Sequence, residues 1–198
     1  MSRWALVPIK GFDRGKSRLS EVLEQAERAE LARGLFEHVV QVLRASPDID
    51  AVAAVSDCAQ ARELAERLGA LALADADESR GLAEVVDRAL EDLKDRGATS
   101  ALICMSDLPE LTANDVASVV RQLEECDVVL APDLARQGTN LIAVKPATVL
   151  PSCLGHDDSF DRHHACARRL GLTVCVQVSS STGFDVDRPP DLDRLQGR

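Results

Sequence analysis

The chain has 198 residues, 45% of them hydrophobic and 28% charged. That length suits one domain, residues 1–198, with a full core, and that balance excludes a disordered chain. A net charge of −10 argues against a nonspecific nucleic-acid binder, and no apolar run reaches the roughly 20 residues of a membrane span.

In chain order, Trp4–Lys10 reads as a buried strand that ends in a loop. The apolar stretch at the N-terminus is too short for a signal peptide, so a cytoplasmic protein is expected. Ser20 is a candidate cap for a long helix from Glu21 to Arg44, with Leu31, Leu35, Phe36, Val39, Val42 and Leu43 as its apolar stripe. Strands are expected at Asp50–Ser56 and Ala70–Ala74, with a helix over Ala59–Leu68 between them that stops at Gly69. Leu82–Arg96 is the next helix, closed by Gly97, and Ser100–Ser106 is the fourth strand. Thr112 or Asn114 starts a helix that runs to Glu125. Two strands follow at Asp127–Ala131 and Asn140–Lys145, then a helix at Ser159–Leu170, a strand at Thr173–Val178 and a short helix at Pro189–Leu195. Alternation of strand and helix over the first two-thirds implies parallel strands with right-handed crossovers. The two consecutive strands near 127–145 interrupt it. The expected fold is therefore α/β, three-layered, around a mostly parallel but mixed sheet.

Cysteines stand at 58, 104, 126, 153, 166 and 175, with no CxxC pair. They read as buried, reduced thiols acting as small hydrophobes, and neither a zinc site nor a disulfide framework is expected.

Three carboxylates stand out. Asp107 ends the apolar run Ala101–Ser106 and precedes Leu108-Pro109. A buried strand that delivers a carboxylate to the following loop is how open α/β sheets present ligands. Asp185 and Asp187 are two apart, so on an extended segment their side chains share a face. Hard oxygen ligands suit Mg²⁺. The plain alternative for Asp187 is to start the last helix, ahead of Arg188-Pro189. Over residues 3–18, Arg3, Lys10, Arg14, Lys16 and Arg18 face only Asp13. One basic loop in an acidic chain suits a small anionic ligand, the plain alternative being solvated charges.

The loop admits two readings. Lys10-Gly11-Phe12-Asp13-Arg14-Gly15-Lys16-Ser17 departs from the phosphate-binding G-x-x-x-x-G-K-[ST] pattern only at Lys10, and Ala101–Asp107 would then supply the second nucleotide-binding strand. Against this, lysine does not replace the glycine of the tight turn without steric cost. The loop also carries several cations, and Arg18-Leu19-Ser20 reads as a loop end rather than a helix already under way. The other reading is a loop that reaches over a nucleoside triphosphate with its side-chain cations.

On that second reading the sequence resembles the 2-phospho-L-lactate guanylyltransferases of deazaflavin coenzyme biosynthesis, relatives of the molybdenum-cofactor guanylyltransferases. The resemblance runs along the whole chain. It rests on Pro8–Lys10 with Lys16–Leu19, on Asp107-Leu108-Pro109, and on Gly138-Thr139-Asn140. It continues through Gly155 with Ser159-Phe160-Asp161-Arg162-His163, and ends at Asp185-Val186-Asp187-Arg188-Pro189-Pro190-Asp191-Leu192. Gly81-Leu82-Ala83 stands where the family has Gly-Leu-Asn. Without that amide the base preference, guanine or adenine, stays open.

The resemblance implies a nucleotide-diphospho-sugar-transferase-like fold. It also implies a Mg²⁺-dependent transfer of the guanylyl group of GTP to 2-phospho-L-lactate, phosphoenolpyruvate or 3-phospho-D-glycerate, with release of pyrophosphate. Lys16 and Asp107 become the catalytic residues, and Asp107, Asp185 and Asp187 the metal ligands. Lys10, Gly11, Gly15, Lys16, Arg18 and Gly81 become nucleotide-binding; Thr139, Gly155 and Ser159 hold the acid. Thr139 in a turn and Ser159 as a helix cap are the plain alternatives. His163 and His164 are adjacent on a helix, about 100° apart, and make poor co-ligands; His163 is expected to pack or hydrogen-bond near the acid. A P-loop NTPase or kinase and a non-catalytic nucleotide-binding module are the rival functions. No nucleic acid or membrane partner is expected, and a homodimer is compatible with the chain.

Overall fold

The computed structural model describes residues 2–75, 81–195 and 197. The strands are β1 (Arg3–Pro8), β2 (Ala51–Ser56), β3 (Leu71–Ala74), β4 (Ser100–Cys104), β5 (Val128–Pro132), β6 (Thr139–Val144) and β7 (Val174–Val176). They form one sheet in the order β3-β2-β1-β4-β6-β5-β7. β1 pairs in parallel with β2 and β4, whereas β6 runs antiparallel to both β4 and β5. The mixed sheet expected from the paired strands near 127–145 is thus present, and β6 is its reversed strand.

The helices are α1 (Gln25–Ala45), α2 (Ala59–Arg67), α3 (Leu82–Asp95), α4 (Ala113–Gln122), α5 (Ser159–Arg169), α6 (Ser180–Gly183) and α7 (Pro189–Leu195). Phe36, Val39 and Leu43 of α1, Leu64 of α2 and Val119 of α4 share one buried cluster with Ala5, Val7 and Leu102 of the sheet. Val86, Leu90 and Leu93 of α3 and Ala167 of α5 share the opposite cluster with Leu6, Ile103 and Ile142. Alternate strand residues therefore enter opposite cores. With both faces covered, the strands read as near-continuous apolar runs rather than as alternating ones. No helix among the described residues is long and apolar enough to cross a membrane.

Several boundaries differ from expectation. β1 stops at Pro8, β4 at Cys104, and β7 spans only Val174–Val176. The long helix begins at Gln25, not after Ser20. Its cap is Glu24, whose backbone N–H donates to the Glu27 carboxylate at 2.8 Å in a reciprocal capping box. Residues Ser17–Leu19 form a single 3₁₀ turn. The reason is packing: Leu19 is fully buried in a small cluster with Leu35, Phe184 and Val186. That burial draws the end of the cationic loop down against the C-terminal segment. It also removes the phosphate-binding P-loop reading, which needs a helix directly after Lys16-Ser17.

One cysteine expectation is corrected. Cys126, just after α4, and Cys175, in β7, form a disulfide with Cα atoms 6.2 Å apart. Their sequence separation of 49 gave no spacing signal; the parallel pairing of β5 with β7 brings them together. Cys104 and Cys166 are buried free thiols as expected, while Cys58 and Cys153 are half-buried.

Candidate active site

Chain order reverses across β1, with β2 and β3 on one side and β4 on the other. Ligands of open α/β sheets bind at such a switch point, beyond the carboxyl ends of the strands. Here that crevice holds a cavity of about 150 Å³ lined by Pro8, Ile9, Lys10, Gly15, Lys16, Leu82, Met105 and Asp107, among others. Four of the predicted site residues, Lys10, Gly15, Lys16 and Asp107, line it. A larger cavity of about 700 Å³ lies against α3 and β3, and its lining includes Asp75, Glu84, Asp87, Glu91, Asp92 and Asp95. None of the predicted residues lines that cavity, and its acidic wall would repel a triphosphate.

Lys16 is the centre of the smaller site. It takes a left-handed backbone, φ 55° and ψ 36°, which ends the loop and turns into the 3₁₀ turn. Its Nζ donates to Asp107 Oδ2 at 2.5 Å and lies 3.9 Å from Asp187 Oδ1. Arg18 Nη1 donates to Asp187 Oδ2, and its Nη2 lies 3.6 Å from Asp157 Oδ1. Lys10 is exposed at the rim, and Gly11 is buried at the base of the loop, where its carbonyl accepts from Arg14 and Gly15 N–H.

The C-terminal carboxylates are held by backbone. Val186 N–H donates to the Asp107 carbonyl at 3.2 Å. Asn140 Nδ2 donates to the carbonyls of Thr182 and Gly183 and, at 3.4 Å, to Asp185 Oδ1. The N–H groups of Asp187 and Arg188 donate to the Asp191 carboxylate in the first turn of the last helix, while the Asp187 carboxylate faces Arg18 and Lys16. Burial pushes the Asp185 carboxyl up to about 6, the Asp107 and Asp187 charges add to the rise, and Asn140 and Lys16 oppose it.

The three carboxylates are therefore near one another, but Asp107 and Asp187 face the Lys16 ammonium while Asp185 is held by Asn140. Among the described residues, no three His, Cys, Asp or Glu side chains are already arranged about one cation position. The fit to a divalent cation is one of chemistry. The donors are hard carboxylate oxygens, and their mutual repulsion is relieved by positive charge.

Two of the three predicted acid-binding residues meet each other, outside the lining of that cavity. Thr139 opens β6 and Ser159 opens α5; both are buried, and Ser159 Oγ donates to Thr139 Oγ1 at 3.3 Å. Ser159 is not a cap, because Asp158 takes that position. Gly155 is apart from this pair. It has φ +91°, and a Cβ there would lie 3.4 Å from Leu82 Cβ, so it borders the cavity wall. Gly81 precedes Leu82 as the N-terminal cap of α3, with open space around it.

Sequence reasoning missed two contributors. Asn140 belongs to the quoted Gly138-Thr139-Asn140 segment, and a buried amide was its signal. Asp157 had none. His163, expected near the acid segment, is fully buried and lies 3.1 Å (Nδ1) from Thr139 Oγ1.

Burial lowers the His163 imidazole to about 4, with the Ser159 carbonyl pulling the other way. In the unfolded chain it titrates near 6.5. The unfolded state then binds the extra proton between these values, so stability is full above pH 6.5 and falls as pH drops toward 4. The expected loss is about 2 kcal/mol between pH 7.5 and pH 5. Urea unfolding at both pH values should show it, and His163→Gln should show a correspondingly smaller drop. Equal drops in both proteins would place the acid sensitivity elsewhere.

A family profile described as "Guanylyl transferase CofC like" matches residues 3–196. A phosphoenolpyruvate guanylyltransferase of Sphaerobacter thermophilus is 36% identical over 197 residues, covering 100% of this chain and 94% of that protein. A 2-phospho-L-lactate guanylyltransferase of Methanocorpusculum labreanum is 35% identical over 192 residues, covering 96% of this chain and 81% of that protein. Among solved structures, a candidate nucleotide-diphospho-sugar transferase from Desulfovibrio desulfuricans G20 superposes with a TM-score of 0.82 at 22% identity, covering 98% of this chain and 87% of that one. The fold is thus nucleotide-diphospho-sugar-transferase-like.

Proposed function

Because the chain belongs to the guanylyl transferase CofC-like family, we propose that it transfers the guanylyl group of GTP to a phosphorylated three-carbon acid, as one nucleotidyltransferase domain. The chain is a nucleotidyltransferase by family; the nucleotide, the acid and the residue roles are the proposal. The acid is phosphoenolpyruvate, 2-phospho-L-lactate or 3-phospho-D-glycerate, and the product feeds deazaflavin coenzyme synthesis in the cytoplasm. One observation carries the reading. The cationic loop meets Asp107 and Asp187 at the sheet's switch point, so cations suited to phosphate and carboxylates suited to a metal stand side by side.

In the reaction, an oxygen of the acid's phosphate forms a bond to the α-phosphorus. The bond from that phosphorus to the bridging oxygen breaks, and pyrophosphate leaves with the electron pair. The nucleophile is already ionised, so no general base is required, and the barrier is repulsion between anions and their alignment. Lys10, Lys16 and Arg18 hold the triphosphate, while Gly11 and Gly15 let the backbone approach it. Gly81 lies beside the base. Thr139, Gly155 and Ser159 hold the acid. Asp107, Asp185 and Asp187 would hold Mg²⁺, which when bound supplies charge neutralisation at the phosphates.

Pyrophosphate release with Mg²⁺ tests this, offering GTP or ATP against phosphoenolpyruvate, 2-phospho-L-lactate and 2- and 3-phosphoglycerate. One GTP and acid pair should give pyrophosphate well above every other combination. Nucleoside diphosphate as product, or no turnover with any pair, would overturn the proposal.

A further inference from the structure

The buried polar chain behind the acid segment has a direction. Cys153 N–H donates to His163 Nε2 at 2.7 Å. A backbone amide only donates, so Nε2 carries a lone pair, and the neutral imidazole must hold its hydrogen on Nδ1. Burial, which keeps this imidazole neutral well below its ordinary range, agrees. Nδ1–H then faces Thr139 Oγ1 at 3.1 Å, with the Ser159 carbonyl as a second acceptor nearby, and Ser159 Oγ–H donates to the same threonine oxygen at 3.3 Å. The Thr139 hydroxyl thus accepts two hydrogen bonds and, among the described residues, donates none. It is 4% exposed. A buried hydroxyl with both lone pairs taken has one use left, which is to donate its hydrogen to an incoming acceptor.

This chain of bonds joins the two ends of the loop between Cys153 and Ser159. Residues between Cys153 and Ser159 reach the nucleotide side through Asp157 against Arg18 and Gly155 against Leu82. Without an N–H at Nδ1, the Thr139 hydroxyl would turn inward and donate to the ring.

We infer that His163 is a positioning residue for the acid: its Nδ1–H, set by Cys153 N–H at Nε2, keeps the Thr139 hydroxyl facing the acid's anionic oxygens as a donor. The inference rests on the reading above that Thr139 and Ser159 line the acid site.

Two amides separate the ring nitrogens. His163→Gln places an acceptor near Nε2 but no donor at Nδ1; His163→Asn places a donor near Nδ1 but no acceptor at Nε2. Initial rates of pyrophosphate release are measured with GTP and whichever of phosphoenolpyruvate, 2-phospho-L-lactate and 3-phospho-D-glycerate turns over fastest. His163→Gln should raise KM for the acid by about tenfold to a hundredfold, the effect of one hydrogen bond to an anion, with KM for GTP within about twofold. His163→Asn should stay within about threefold for both. Thr139→Val should match His163→Gln, and the double variant should be no worse than Thr139→Val alone.

Equal damage from Gln and Asn, or additive damage in the double variant, would reduce His163 to a packing role while leaving the acid site standing. An unchanged acid KM in Thr139→Val would instead remove Thr139 from the acid site itself. Should His163→Gln fail to fold, ¹⁵N chemical shifts of the wild-type imidazole decide the same point. A protonated Nδ1 with bare Nε2 is expected, and the opposite tautomer overturns the inference.

Discussion

Asp107→Asn should lower the turnover number for pyrophosphate release by about 10³-fold while the protein stays folded. The magnitude is that of removing one preorganised charged group from a site where charge builds up in the transition state. Asparagine keeps the size and one oxygen acceptor, but loses the charge that faces Lys16 at 2.5 Å and that would help hold Mg²⁺. A stability cost also follows, because Lys16 and Asp107 side chains are only 9% and 19% exposed. Removing one partner of a mostly buried pair is more harmful than removing both. Lys16 retains Asp187 at 3.9 Å, so the cost is limited to about 1–3 kcal/mol. The double variant Lys16→Met with Asp107→Asn separates the two effects. Its unfolding free energy should recover toward wild type, while its activity should not. An Asp107→Asn enzyme within tenfold of wild type would remove Asp107 from the catalytic set.

Lys16→Met should reduce kcat/KM for GTP by about 10²–10³-fold, with Arg18 still in place to bind the phosphates. The variant keeps the aliphatic stem and removes only the ammonium. Its second consequence is electrostatic. Asp107, Asp185 and Asp187 are left close together with no lysine between them, so the metal-free variant should melt below wild type. Mg²⁺ should then raise its Tm by more than it raises that of wild type, because a cation that binds only the folded state stabilises it by mass action. Thermal melts with and without Mg²⁺ give this readout without any turnover. If Mg²⁺ shifts both proteins equally, the ammonium and the metal do not share the carboxylates.

The helix that begins at Gln25 shows where local reading ends. Ser20 has the side chain of a cap, and the apolar stripe from Leu31 to Leu43 has helical spacing. Yet Leu19 is buried against Phe184 and Val186, from the far end of the chain. That contact holds residues 17–19 in a 3₁₀ turn and moves the helix start to the Glu24–Glu27 capping box. Propensity is a weak prior, and packing between distant segments overrides it.

The sequence by itself determined the order of the seven strands and of every α-helix but α6, the mixed sheet implied by two successive strands near 127–145, and the residue types of the site. Those follow from periodicities of a few residues and from cations and carboxylates standing at strand ends. Only the tertiary structure decided which side chains touch. Lys16 and Asp107 are 91 residues apart, Arg18 and Asp187 are 169 apart, and Thr139 and His163 are 24 apart. Cys126 and Cys175 likewise meet only because β5 and β7 are neighbours. Such contacts depend on strand order and register, which are set by how two apolar helix layers close over the sheet. No short window of sequence carries that information, so the donor direction of Thr139 became legible only once His163 and Cys153 were placed around it.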